Sequence, residues 1–139
     1  MDVDSLHTLV TGAIWRAEQL EDRGAESAAV AWKEVSLIEE ELANALAVSE
    51  PEGRIARRGA VGAALSAGDY ARAEALVQRY TSEEGTPRAL RSELRKMLDE
   101  DARILEARFR YAAKHHRVTA ARGLARQLQE GGAFGLAAA

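Results

Sequence analysis

The sequence predicts an all-α protein built from antiparallel helical hairpins. Apolar residues recur at steps of three and four, which is the helical period and not the strand period of two. On either side of a tight turn they also form pairs whose two residue numbers add up to the same value. Facing positions of an antiparallel hairpin have this property. We expect about six helices in three hairpins, with an antiparallel helical bundle as the alternative architecture.

The first hairpin is predicted around Gly24, with helices from about residue 4 to 24 and from about 26 to 48. Gly24 can adopt the left-handed conformation that ends a helix. Trp15 and Trp32 fall close to the same register, so we expect them to pack; an exposed pair would be an interaction hot spot. The apolar pairs that sum to 48 are Leu20 with Ala28, Ala17 with Ala31, Ala13 with Val35, Val10 with Ile38 and Leu6 with Leu42.

The second hairpin is predicted around Gly68, with helices over about 50–66 and from Asp69 to about residue 84. Ser49 and Glu52 have the spacing of a capping box at the first of these helices, and Asp69 can cap the second. The pairs that sum to 135 are Leu65 with Tyr70, Gly62 with Ala73, Gly59 with Leu76 and Ile55 with Tyr80.

The segment Ala64–Leu76 resembles the centre of a tetratricopeptide (TPR) repeat. Gly68, Tyr70 and Ala73 match that family's small-residue turn, aromatic and close-packing alanine, and Pro87 lies slightly beyond its terminal proline. The resemblance covers about 30 residues and implies a helical-hairpin fold used for protein interaction. The three turns are about 44 and 48 residues apart, and not the family's roughly 34, so we do not expect a uniform peptide-binding groove.

A third hairpin is predicted around His116 and Arg117, where apolar pairs sum to 233. Its first helix runs from about 87 to 115 and its second from about 118 to 129, so the second helix faces only half of the first. Four apolar residues of the unfaced half must pack on the rest of the chain or on a second subunit. They are Leu90, Leu94, Met97 and Leu98.

We expect residues 1–130 to form a single helical domain and residues 131–139 to form a flexible apolar tail. Phe134 and Leu136 are the large side chains of this tail, which either fold back over the core or are presented to a partner. The final Leu-Ala-Ala-Ala resembles the apolar carboxy-terminal tags that bacterial unfoldase-proteases read.

Composition excludes several classes of protein. The absence of cysteine excludes disulfides and thiolate chemistry. No signal peptide and no apolar run of about 20 residues is visible, which predicts a soluble, cytoplasmic protein without membrane contact. The net charge of −3 divides into −8 for residues 1–50 and +5 for residues 51–139, a dipole that can steer a charged partner or favour head-to-tail self-association.

Candidate catalytic and ligand-binding residues are few. The Glu-x-x-Glu pair Glu18 and Glu21, with a histidine, supports an alternative as a carboxylate-based metal enzyme, but it lacks the matching carboxylates of di-metal bundles. We therefore predict no cofactor, no metal and no catalytic residue. The acidic run 39–41 is expected on solvated helix faces. Basic clusters interrupted by acids and lacking stacking aromatics argue against nucleic-acid binding.

The predicted function is a non-enzymatic protein–protein interaction module: an adaptor, small chaperone or regulatory subunit that binds a partner helix or peptide between its helices. A structural homodimer is the further alternative. Four arginines at helical spacing are candidate rim contacts to acidic groups: Arg72, Arg79, Arg91 and Arg95. The candidate apolar contacts are Leu90, Leu94, Met97, Leu98, Phe134 and Leu136.

Overall fold

The computed structural model describes residues 1–115, with side chains to residue 111. This part of the chain is all-helical, without a strand, and contains five helices: α1 (Val3–Asp22), α2 (Ala28–Ala45), α3 (Pro51–Ser66), α4 (Tyr70–Thr81) and α5 (Arg88–His115). The predicted all-α class is confirmed. The predicted sixth helix and the tail with Phe134 and Leu136 lie outside the described residues. The chain divides after residue 99 into two units, the first of which holds α1 to α4 and the start of α5.

Glycines end two of the helices, as the sequence predicts. Gly24 and Gly68 follow the last turns of α1 and α3 with φ angles of 66° and 74°, which place them in the left-handed region. Gly85, with a φ angle of 86°, lies in the turn between α4 and α5. The Asp69 N–H donates to the Ala64 carbonyl at 2.9 Å, which closes the end of α3. Asp69 then caps α4, because its Oδ1 accepts from the Arg72 N–H at 3.0 Å.

The first hairpin buries four of the five residue pairs that the sequence places between its helices. Consecutive α1 and α2 pack against each other across a short turn, so they run antiparallel. The inner faces of both helices are buried. Trp15 is an exception to the prediction, because 64% of its surface is exposed while Trp32 is partly buried. The buried residues of this interface are Leu6, Val10, Ala13 and Ala17 of α1 with Ala31, Val35, Ile38 and Leu42 of α2.

Helix α3 is rotated relative to its predicted register. Ile55, expected to face α4, is 54% exposed. Gly59 faces α2, because a Cβ at this position would lie 2.7 Å from the Glu39 carboxyl carbon. The prediction failed because α3 packs on α2 as well as on α4. The small side chains that allow this close approach are Ala56, Ala60, Ala63 and Ala64, all buried.

Two predicted helix ends differ from the observed ones. The capping box is absent, because Glu50 is the N-cap of α3 and no side chain bonds the first turn. Ser49 offers its carbonyl to the Arg54 guanidinium at 2.7 Å. Helix α4 ends at Thr81, earlier than expected, and the buried Thr86 hydroxyl donates to the Tyr80 carbonyl at 2.9 Å. Backbone acceptors near the helix ends are thus met by side chains from further along the chain.

The end of α2 and the segment after α4 meet at a buried arginine of α3. Arg57 is 3% exposed. Its Nε and Nη2 each donate to one oxygen of Glu83 at 2.8 Å. Its Nη1 donates to the carbonyls of Gly53 at 2.7 Å and Leu46 at 3.2 Å. Helix α2 ends at Ala45, short of the predicted Val48, and the Leu46 carbonyl beyond it is held by this guanidinium.

The first half of α5 packs on the chain's own core. Leu90 and Leu94 are 2% and 0% exposed, and Met97 and Leu98 are partly buried against the same cluster. The Met97 methyl lies 3.5 Å from the position that a Cβ on Gly62 of α3 would occupy. Of the two alternatives that the sequence leaves open for these residues, packing within the chain is the one observed.

Loss of the Glu83 charge should destabilise the fold. In Glu83→Gln the buried Arg57 guanidinium loses its counter-charge, so we expect the free energy of unfolding to fall by about 2–3 kcal/mol. The matched control is Glu93→Gln, which breaks the exposed Arg58–Glu93 pair and should cost under about 1 kcal/mol. Urea denaturation measures both, and equal losses would contradict the role of Arg57.

Two glycine-to-alanine substitutions should act in opposite directions. A Cβ on Gly53 would lie 2.0 Å from the Ala47 carbonyl oxygen, so Gly53→Ala should cost about 1–3 kcal/mol. A Cβ on Gly12 meets nothing within 4 Å, so Gly12→Ala should stabilise α1 by about 0.5–1 kcal/mol. Thermal and urea unfolding test both; a stable Gly53→Ala variant would contradict the close contact between α3 and the preceding loop.

Candidate functional site

An open groove between α2 and α4 contains two of the predicted binding residues. We call it the α2/α4 groove. Ala75 and Leu76 contribute its apolar part. Lys33 and Glu40 lie seven positions apart on α2, and Arg72 and Arg79 lie seven apart on α4, so each pair shares one side of its helix. The groove is lined by Lys33, Glu40, Asp69, Arg72, Ala75, Leu76 and Arg79.

The Glu40 carboxylate is shared by two arginines of α4. One oxygen accepts from Arg72 Nη2 at 2.7 Å and the other from Arg79 Nη1 at 2.7 Å. Burial by itself raises the pKa of Glu40, but the hydrogen bonds and charges of Arg72 and Arg79 outweigh it and lower the pKa below the ordinary value. The expectation that Glu40 lies on a solvated face is wrong, since it joins α2 to α4.

Arg72 is also anchored below the groove. Its Nε donates to Ser36 Oγ at 3.0 Å, and the Ser36 hydroxyl donates to the Ala60 carbonyl of α3 at 2.7 Å. Ser36 is fully buried. This chain of hydrogen bonds fixes the Arg72 side chain, which is mostly shielded from solvent, and leaves it little freedom to reach a partner.

Two further cations of the groove remain accessible. The Lys33 side chain is 57% exposed, and its ammonium lies 3.8 Å from Asp69 Oδ2. The Arg79 side chain is 48% exposed, and its Nη2 donates to Asn44 Oδ1 at 3.0 Å. A guanidinium has five N–H donors, and these contacts together with Glu40 use only part of them. Lys33 and Arg79 can therefore donate hydrogen bonds to a further carboxylate.

Among the described residues, the other predicted contact residues do not line this groove. Arg91 and Arg95 are exposed on α5. Leu90 and Leu94 belong to the core, so their side chains are not available on the surface. Sequence reasoning missed Lys33 and Glu40, although their spacing of seven, matched by Arg72 and Arg79, was visible as a shared helix face.

Glu39 is buried at the interface between α2 and α3, next to Gly59. It is 9% exposed, and no ion pair or hydrogen bond holds its carboxyl group among the described residues. Burial raises the pKa of Glu39 to about 7. The expectation that the acidic run lies on solvated faces is wrong here as well; of the three glutamates only Glu41 is exposed.

The described residues contain no group of three or more histidine or acidic side chains placed to hold a metal ion. Glu18 and Glu21 are both exposed on α1. Within the same part of the chain, no helix combines the length and apolar character needed to cross a membrane. No protein-family model, curated protein or solved structure is significantly similar to this chain.

Glu39 should make stability depend on pH near neutrality. Its pKa is about 7 in the folded state and about 4.5 when exposed. Below about pH 4.5 the Glu39 carboxyl is protonated in both the folded and the unfolded state, and the fold has its full stability. This contribution to the free energy of unfolding is lost as pH rises through about 7. We expect Glu39→Gln to gain about 1–2 kcal/mol over the wild type between pH 5 and pH 8, a value reduced for residual solvent access.

Urea denaturation at several pH values measures this difference. The matched control is Glu41→Gln, which removes an exposed neighbouring carboxylate and should show no such pH-dependent difference. A constant offset between Glu39→Gln and the wild type across this range would contradict a buried carboxyl that titrates near neutral pH.

Proposed function

We propose that the protein is a non-enzymatic interaction module, an adaptor or regulatory subunit, that binds an acidic helix or peptide in the α2/α4 groove. The observation that carries this proposal is the pair of accessible cations, Lys33 and Arg79, beside the exposed Ala75. An apolar contact flanked by cations suits an amphipathic segment with carboxylates at its edge.

The charge of the groove favours an acidic partner over a basic one. Its walls carry three cations, Lys33, Arg72 and Arg79, against two carboxylates, Glu40 and Asp69. Both carboxylates already accept hydrogen bonds, Glu40 from two arginines and Asp69 from the first turn of α4. The cations of the groove therefore still have N–H groups to donate, whereas its carboxylate oxygens are largely occupied.

The groove has the dimensions of a short recognition segment. Lys33 and Glu40 are seven positions apart on α2, which corresponds to about 10 Å along the helix, or two turns of a bound helix. Arg72 and Glu40 are fixed by the hydrogen bonds to each other and to Ser36, so the central part of the groove is ordered before binding. Such preorganisation lowers the entropy cost of association.

The finer description of the fold belongs to the same proposal. We propose that the hairpins are TPR-like, because the turn between α3 and α4 combines Gly68 at φ 74° with Tyr70 and a fully buried Ala73. The lack of cysteine is compatible with the proposed cytoplasmic location.

Selection of peptides from a random display library on the purified protein tests the function. We expect enrichment of sequences with Asp or Glu and apolar residues spaced three or four apart. Lys33→Glu and Arg79→Gln should each weaken binding of the selected peptide by about fivefold to tenfold, which corresponds to roughly 1–1.4 kcal/mol of binding free energy. The control Arg91→Glu changes an exposed cation outside the groove and should bind as the wild type does.

Circular dichroism and urea unfolding of each variant establish that the fold is intact. Failure to enrich any acidic peptide, or equal binding by Lys33→Glu and the wild type, would contradict the groove as the binding site.

A further inference from the structure

A second surface of the molecule has the character of a helix-docking site. It lies on α1, on the side away from the residues buried against α2, and we call it the α1 outward face. Its residues are Ser5, Thr8, Leu9, Gly12 and Trp15. All five are exposed and uncharged, and Trp15 is the largest. The exposed Arg16, four positions after Gly12, lies beside them. An exposed tryptophan among small, uncharged residues is typical of an interaction surface.

The hydroxyl groups on this side of α1 are turned back to the helix. Thr8 Oγ1 donates to the Asp4 carbonyl at 3.1 Å, and Thr11 Oγ1 donates to the His7 carbonyl at 2.9 Å. A threonine whose hydroxyl is satisfied within its own helix can offer its methyl group to a neighbour. The surface is therefore more apolar than its composition indicates.

Gly12 packs against no other described part of the chain. A Cβ at this position would find open space, with nothing within 4 Å. Glycine in a helix interior weakens the helix, so alanine would serve α1 better by itself. A notch without a side chain, one turn from Trp15, allows the backbone of another helix to approach closely.

The charges beside this face indicate what approaches it. Glu18 and Asp22 lie in the last part of α1, whose last turn contains no basic residue, and Arg23 follows as the C-cap. Neither carboxylate has an ion pair or hydrogen bond within the described part of the chain. The helix dipole adds negative potential at the same end, so these acids are unfavourable for α1 alone. Arg16, the nearby cation, is paired with Glu34 of α2.

This charge distribution selects among possible occupants. A second copy docking here would bring the same carboxylates against these ones, and residues 1–50 carry a net charge of −8. A basic segment gains favourable contacts with Glu18 and Asp22, which share the side of α1 that carries Trp15. A lysine or arginine can also lie over the exposed indole ring of Trp15.

We propose that the α1 outward face binds a cationic amphipathic helix of a partner protein, which packs over Gly12, buries Trp15 and Leu9, and directs lysine or arginine toward Glu18 and Asp22. This site is independent of the α2/α4 groove and has the opposite charge preference. The two proposals can therefore fail separately.

A synthetic helix tests the proposal directly. The probe is a fluorescein-labelled 18-residue peptide of Ala, Leu and Lys with its leucines on one face, and fluorescence anisotropy at physiological salt measures its binding. We expect binding by the wild type, and at least about tenfold weaker binding of two control peptides. One has Glu in place of each Lys, and the other has the same composition with its leucines scattered.

Variants of the protein locate the site. Trp15→Ala and Gly12→Leu should each weaken binding of the Lys peptide by about tenfold. The double variant Glu18→Gln with Asp22→Gln should weaken this binding and make it less dependent on salt. Val30→Ala, which trims an exposed apolar residue on α2, and Glu41→Gln, which removes an exposed acid there, should bind as the wild type does.

Gly12→Ala separates docking from folding. It should raise the thermal stability of the protein and yet weaken the Lys peptide, a combination that damage to the fold cannot produce. Unchanged binding by Trp15→Ala, or equal binding of the scattered peptide, would overturn the proposal. Self-association of the wild type that Trp15→Ala abolishes, seen by analytical ultracentrifugation, would assign the face to a second copy and overturn it as well.

Discussion

The buried guanidinium of Arg57 is the interaction on which the arrangement of α2, α3 and α4 depends. Glu83 supplies its counter-charge, and the carbonyls of Leu46 and Gly53 take its remaining inward donors. A charge at this depth is tolerated only with such partners, because an unpaired one costs several kcal/mol. The segment after α2 and the segment after α4 must therefore be ordered whenever α3 is packed. Tyr80, whose ring lies 5.6 Å from the Arg57 guanidinium carbon, closes the site from α4.

The small side chains of α3 have two consequences for the glutamates of α2. With glycine or alanine on its inner surfaces, α3 approaches α2 closely enough that Glu39 is buried against Gly59. Glu40, one position later and about 100° around the helix, then faces α4 and receives its two arginines. Adjacent glutamates thus take opposite roles: one is a carboxyl that burial favours in its neutral form, and the other is an ionised centre of the groove.

The sequence predicts those features that depend on local chemistry. Gly24 and Gly68 at helix ends, Asp69 as a cap and the buried faces of the first hairpin follow from backbone preferences and apolar spacing. It does not predict features decided by distant residues. From the sequence alone, Glu39 and Arg57 resemble surface residues, because the glycine that faces Glu39 and the Glu83 carboxylate that pairs with Arg57 are distant along the chain. Trp15 resembles a core residue, although α2 contributes nothing to cover it. Half of the candidate groove, the Arg72 and Arg79 half, was accessible from helical spacing for the same local reason.

The distribution of favourable and unfavourable features distinguishes α1 from the rest of the molecule. In α2, α3 and α4 the charged groups at close quarters are paired, and the glycines face other elements, as Gly53 and Gly59 do. In α1 the glycine faces solvent and the carboxylates of the last turns lack partners within the described chain. Selection for stability alone removes such features readily, since an alanine or a lysine at these positions is a single substitution. The proposed docking of a cationic helix on α1 accounts for their presence beside an exposed tryptophan.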